Sequence, residues 1–157
     1  MTRKELTIDY IEYASIEELN AEDRLVVEAA IDAMKGSYAP YSNFNVGAAV
    51  LLEDGSIVKG ANQENAAYPS GLCAERTALF AAGANHPDKA PISLAIVASQ
   101  NGVICPYPAS PCGACRQVMA QCQTRYGRDL KVILAGSECL IKFERVDDLL
   151  PFIFDNI

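Results

Sequence analysis

Three cysteines and one glutamate carry the clearest chemical content of this 157-residue sequence. They stand in two short segments, Cys73-Ala74-Glu75-Arg76 and Pro111-Cys112-Gly113-Ala114-Cys115-Arg116. Each segment follows a loop rich in turn-forming residues and opens a predicted helix. Helix starts expose unpaired N–H groups and the positive end of the helix dipole, and both favour thiolate over thiol. Cys112 and Cys115 are three apart, so they can face one ion from a single turn. Cys73 lies 39 residues before Cys112. The helix and strand in that gap form a crossover that brings the two helix starts side by side. Three converging thiolates make a soft site of the kind zinc prefers. A structural zinc site normally has four protein ligands, whereas a catalytic one has three and a position for water. Candidates for a fourth are Cys105, Cys122, Cys139 and His86, none with paired spacing to Cys73. Glu75 can reach the open position and move protons without binding the ion. Arg76 is the cation placed to offset three negative sulfurs.

Those residues need elements to hold them. Asn20 caps a helix expected over 22–37, because Leu25, Val26, Ala29, Ala30 and Ala33 recur at helical spacing. Gly36 and Pro40 end it. Residues 46–52 and 57–61 read as a hairpin around Glu53-Asp54-Gly55-Ser56. A loop over 62–71 leads to a helix over 73–82. Residues 92–98, nearly all apolar, suit a strand covered on both faces. A loop over 103–111 precedes a helix from 112 to about 124. Residues 130–135 form the next strand. The short Gly136-Ser137-Glu138 link cannot hold a crossover helix, so 139–143 should return antiparallel at the sheet edge. A last helical turn over 146–150 precedes Pro151. The outcome is one mixed sheet with helices on its faces. Residues 1–19 read as an N-terminal extension of a domain covering 20–157.

Composition sets the outer bounds. Lys and Arg number 13 against 20 Asp and Glu, a net charge of −7 that argues against a nucleic-acid binder. Half the residues are apolar and 21% charged, which excludes a disordered chain. No apolar run approaches the roughly 18 residues of a membrane helix, and the start lacks the apolar core of a signal peptide. The expectation is a soluble cytoplasmic protein, where thiols stay reduced and the six cysteines are not disulfides.

Cys-Ala-Glu followed by Pro-Cys-x-x-Cys resembles the signature of the small zinc-dependent cytidine deaminases. The likeness extends through Tyr41-Ser42-x-Phe44-x-Val46-Gly47-Ala48-Ala49, Asn62-x-Glu64-Asn65-Ala66-x-Tyr68-Pro69 and Cys112-Gly113-Ala114-Cys115-Arg116-Gln117, over roughly residues 20–154. It implies a three-layer α/β/α cytidine-deaminase-like fold with a five-stranded mixed sheet, last strand antiparallel. It implies one Zn²⁺ per subunit on Cys73, Cys112 and Cys115, Glu75 as the proton carrier, and Arg76 beside the ligand sulfurs. Phe44 would pack on the pyrimidine, Asn62 and Glu64 would bond the ribose hydroxyls, and Ala74 would line the substrate. Ala66, Tyr68 and Phe154 match positions that complete a neighbouring subunit's site, so the resemblance implies a homotetramer with shared active sites. The implied reaction is deamination of cytidine and 2′-deoxycytidine in pyrimidine salvage.

Other readings compete. Cys112 and Cys115 alone fit a redox pair, which explains neither Cys73 nor Glu75. A non-catalytic zinc-stabilised interaction domain needs a fourth ligand, and a deaminase for a blasticidin-type cytosine antibiotic shares the zinc signature. Cys105, Cys122 and Cys139 read as core or loop thiols, and His86 as a solvated loop residue. Glu64 alone would be a surface acid, and Phe44 alone a core residue.

Overall fold

The computed structural model describes residues 1–155. The end of the expected domain, residues 156 and 157, lies outside them. Strands β1 (Ile11–Tyr13), β2 (Phe44–Leu52), β3 (Ile57–Ala61), β4 (Pro91–Gln100), β5 (Val103–Ile104), β6 (Lys131–Ala135) and β7 (Leu140–Phe143) build one sheet. Helices α1 (Ala21–Ala33), α2 (Ala74–Asn85) and α3 (Gly113–Tyr126) cover it. The strand order is β1-β7-β6-β4-β2-β3, with β5 folded back on β4. Only the β4–β6 neighbours run parallel; the other pairs are antiparallel.

Alternation along the strands sends successive side chains to opposite faces. Ala49, Leu51, Val97 and Ile133 meet Val26, Val27 and Ala30 of α1. Val50, Leu94, Ile96 and Val132 meet Ala78 and Leu79 of α2 and Met119 of α3. The three layers result directly, with α1 on one face and the two cysteine-bearing helices on the other.

The sheet has seven strands where five are expected. The five expected ones are present as β2, β3, β4, β6 and β7. The sixth, β1, comes from the N-terminal extension and pairs Ile11 with Lys142 and Tyr13 with Leu140. Strand β7 is therefore antiparallel to β6, as expected, but it is not the sheet edge. Its open backbone groups are satisfied by β1, the kind of pairing an exposed edge invites. The seventh is a two-residue return after the Asn101-Gly102 turn. Helix α1 also ends before Ser37: it stops at Ala33 and tightens into a 3₁₀ turn over Met34–Gly36. Its start is as expected, with Asn20 Oδ1 accepting from Asp23 N at 2.8 Å.

Gly60 allows a close approach of helix to strand. A Cβ there would strike Ala78 N and Ala74 O, so glycine lets α2 lie directly on β3 and sets the height at which Cys73 emerges.

Candidate active site and metal centre

Cys73 and Cys112 are the N-cap residues of α2 and α3. Both have extended backbones and neither sulfur makes a capping hydrogen bond to its helix. The helices follow β3 and β4, which run the same way because each is antiparallel to β2. Their starts consequently lie at one end of the sheet. Cys115, one turn into α3, completes the set from a buried position.

The three sulfurs lie within 4.8 Å of one another, with Cys73–Cys112 at 4.0 Å and Cys112–Cys115 at 3.5 Å. Tetrahedral zinc with Zn–S bonds of about 2.3 Å holds its sulfurs about 3.8 Å apart. The cluster fits that ion in spacing and in donor softness. Among the described residues, no other His, Cys, Asp or Glu joins it. Cys105, Cys122, Cys139 and His86 are elsewhere, so a four-ligand structural site is not assembled. The Cys73 thiol is drawn down to about 5 by the neighbouring Cys115 thiol and, against the opposing cost of burial, by Arg76 and Cys112. Cys115 is pushed up by the neighbouring Cys73 and by burial.

Glu75 is 5% exposed. Burial, reinforced by the Cys73 charge, raises its carboxyl above its ordinary value. Arg76 Nη2 donates to Cys73 Sγ at 3.6 Å. Ala74 is fully buried under the α2 face.

Beside Cys73 and Arg76 lies an open cavity of about 480 Å³, lined also by Ser42, Asn62, Glu64 and Tyr68. Asn62 is largely committed to the protein. Its Oδ1 accepts from Val46 N at 2.8 Å and Ser37 Oγ at 2.5 Å, and its Nδ2 donates to Phe44 O at 2.9 Å. A carboxamide offers two N–H groups, so one is left for a ligand. Glu64 Oε2 accepts from Tyr41 N at 2.9 Å and Ser42 N at 3.3 Å, and its Oε1 accepts from the Ser42 hydroxyl. Those bonds, that of the Ser42 hydroxyl foremost, hold the carboxyl below its ordinary range.

Of the expected site residues, Phe44, Ala66, Ala74, Glu75, Cys112, Cys115 and Phe154 are not on this cavity wall. Phe44 is half-buried at the head of β2, Ala66 is exposed in the following loop, and Phe154 is held at the C-terminal segment by Gln117 Nε2 donating to its carbonyl at 2.7 Å. Sequence reasoning gave no role to Ser42 or Arg116. Ser42 stands inside the Tyr41-Ser42 segment already quoted, and Arg116 directly follows a ligand; those positions were the only signals.

Residues 20–126 match the family described as the cytidine and deoxycytidylate deaminase zinc-binding region, which spans all three cysteines and Glu75. The chain belongs to this deaminase family. It is 44% identical over 132 residues to a cytidine deaminase of Halalkalibacterium halodurans, covering 83% of this chain and 92% of that protein. The cytidine deaminase structure from Burkholderia pseudomallei superposes with a TM-score of 0.66 at 41% identity, over 83% of this chain and 97% of that one. The Mycobacterium tuberculosis cytidine deaminase gives 0.68 at 33% identity, over 87% and 100%. The deaminase family region begins at residue 20, so strand β1 lies outside it. No helix among the described residues of this deaminase-family chain is long and apolar enough to cross a membrane.

Proposed function

We infer that this chain is a zinc-dependent hydrolytic deaminase of cytidine and 2′-deoxycytidine, yielding uridine or 2′-deoxyuridine and ammonia. The observation that carries this reading is the three-sulfur cluster without a fourth protein ligand, two residues from a buried carboxyl. Cys73, Cys112 and Cys115 hold one zinc ion per subunit. When bound, zinc supplies a Lewis acid that makes a water acidic enough to attack near neutral pH.

Glu75 moves the protons. Its carboxylate takes one from the attacking water and hands it to ring N3 as the C4–O bond forms. It then takes the proton of the new C4 hydroxyl and delivers it to the amino nitrogen; the C4–N bond breaks, the C4 carbonyl forms, and ammonia departs. Arg76 offsets the thiolate charge, because Zn²⁺ with three thiolates carries a net −1, and the two helix starts act in the same sense. Asn62 and Glu64, on the cavity wall, receive the ribose hydroxyls; by resemblance to the family motif Phe44 packs on the base and Ala74 backs the substrate, although neither lies on the wall of that cavity.

The active assembly is a homotetramer in which Ala66, Tyr68 and Phe154 complete a neighbour's site. Support comes from rings that a single chain leaves in water, Tyr68 at 76% and Phe154 at 68% exposure. The enzyme serves pyrimidine salvage in the cytoplasm.

The test is the ultraviolet change on conversion of cytidine, followed with and without a zinc chelator. Turnover is expected to stop on chelation and to return with added zinc, with the circular dichroism of the fold retained. Cytidine 5′-monophosphate is expected to show kcat/KM about 100-fold lower, because an ionised Glu64 repels a phosphate placed near it. Undiminished turnover in chelator, or equal turnover of nucleoside and nucleotide, would reject the reading.

A further inference from the structure

We propose that Arg116 is a positioning residue that holds the metal ligand Cys112 in place; this rests on the reading of the three cysteines as a zinc site. The two halves of the sulfur cluster are anchored differently. Before Cys73, Gln63 and Leu72 exchange two backbone hydrogen bonds of 2.9 Å. Thr77 Oγ1 donates to Cys73 O at 3.1 Å, and Arg76 reaches the sulfur itself. Before Cys112 there is almost nothing of the kind. Among the described residues, one hydrogen bond reaches the stretch 107–111: Arg116 Nε donates to Pro111 O at 2.9 Å. Pro108 and Pro111 have no N–H to give, so the loop backbone is a poor source of further anchors.

The same guanidinium donates through Nη1 to Leu149 O at 2.8 Å. That carbonyl directly follows the 3₁₀ turn Val146–Asp148, whose first N–H donates to Gln123 Oε1 of α3 at 2.8 Å. Arg116 thus braces the loop against a turn that is itself fixed to α3. The Pro111 carbonyl shares its rigid peptide plane with Cys112 N, so fixing that plane fixes the direction in which Cys112 leaves the loop. Cys112 is also the exposed member of the three, with the least packing to hold it. A planar fork can bridge two carbonyls in this way, whereas a lysine ammonium is a single point donor.

The experiment is zinc transfer from the loaded protein to a chromogenic chelator, read beside the sulfur-to-metal absorption band of the cobalt-substituted protein. Arg116→Ala is expected to release zinc about 10- to 100-fold faster than wild type and to weaken the band per bound cobalt. Arg116→Lys is expected to fall between the two. In a Cys112→Ser background the Arg116→Ala change is expected to alter release less than about twofold, because its effect runs through the missing ligand. Equal zinc retention by wild type and Arg116→Ala overturns the proposal, as does the same fold-loss with and without Cys112. Should Arg116→Ala not fold, Arg116→Lys carries the same comparison in both backgrounds. A wild-type chain that binds no zinc overturns the metal reading itself, and this proposal with it.

Discussion

Ser42 grips both oxygens of Glu64, its hydroxyl on Oε1 and its amide on Oε2. The protein itself therefore aims this carboxylate and favours its ionised form. Ser42→Ala removes the hydroxyl and leaves the two amides. The expected outcome is a KM for cytidine raised about tenfold with kcat within about twofold, since a hydrogen bond to a charged group is lost from binding and not from chemistry. The bond lowers the Glu64 carboxyl from its ordinary value, so its loss moves that value up. The KM defect should deepen as pH falls toward the carboxylate range, which steady-state kinetics across pH will show.

Glu75→Gln keeps the shape of the side chain and removes the titrating group. Loss of a positioned general acid–base is worth about 10² to 10⁴ in rate. A drop of that size in kcat is expected with zinc content unchanged by elemental analysis. Near-normal kcat in the zinc-loaded variant would exclude Glu75 as the proton carrier.

Arg76→Ala takes away the cation 3.6 Å from Cys73 Sγ. The centre is then left with uncompensated thiolate charge. Zinc affinity is expected to fall about 10- to 100-fold, as for other groups that bond to metal ligands, with the fold retained. Competition against a chelator of known affinity measures it. A variant with full metal content and full kcat would refute the charge argument.

Far from the cavity, Asp23 is fully buried and accepts from Lys131 Nζ at 2.8 Å, Lys142 Nζ at 3.3 Å and Asn20 Nδ2 at 2.9 Å. Burial opposes its ionisation, but the two ammonium groups outweigh that cost and leave its carboxyl below the ordinary 3.8. In the unfolded chain the group binds its proton more readily. Its contribution to stability is therefore present above that ordinary value and is lost as pH falls through the lower native one. Asp23→Asn should cost about 1–3 kcal/mol at neutral pH, because the buried Lys142 and the half-buried Lys131 lose their shared buried carboxylate and keep only the surface partners Glu144 and Glu22. Its stability should also decline less steeply than that of the wild type below about pH 4. Urea unfolding at a series of pH values tests both statements.

Much of this architecture was legible from residue order. Ile57–Ala61 matches its expected bounds, because Asp54-Gly55 marks a turn and Asp54 Oδ1 accepts from Ser56 N at 3.0 Å within it. Strands β4 and β6 announce themselves as apolar runs covered on both faces. The cysteines stand out because thiols are soft ligands and Cys112 and Cys115 share a helical spacing, and Glu75 because it lies two residues from Cys73. Strand β1 left no such trace. Three residues with a charge among them carry no period, and their partner β7 lies at the other end of the chain. The role of Arg116 was equally hidden, since its acceptors are backbone carbonyls, one of them 33 residues away. Side-chain type says nothing about which distant carbonyl a guanidinium will find.

Strand β1 also does something to Lys142. That lysine, on β7, is only 7% exposed, with its ammonium 5.7 Å from the centre of the Tyr13 ring and in reach of Asp23 on α1. Tyr13 therefore roofs a charge whose counter-ion belongs to the first helix and whose backbone belongs to the last strand. Peeling the leading segment away would let water reach that ammonium and loosen its hold on the carboxylate beneath. Strand β1, strand β7 and the start of α1 thereby share one buried charge as a common seam.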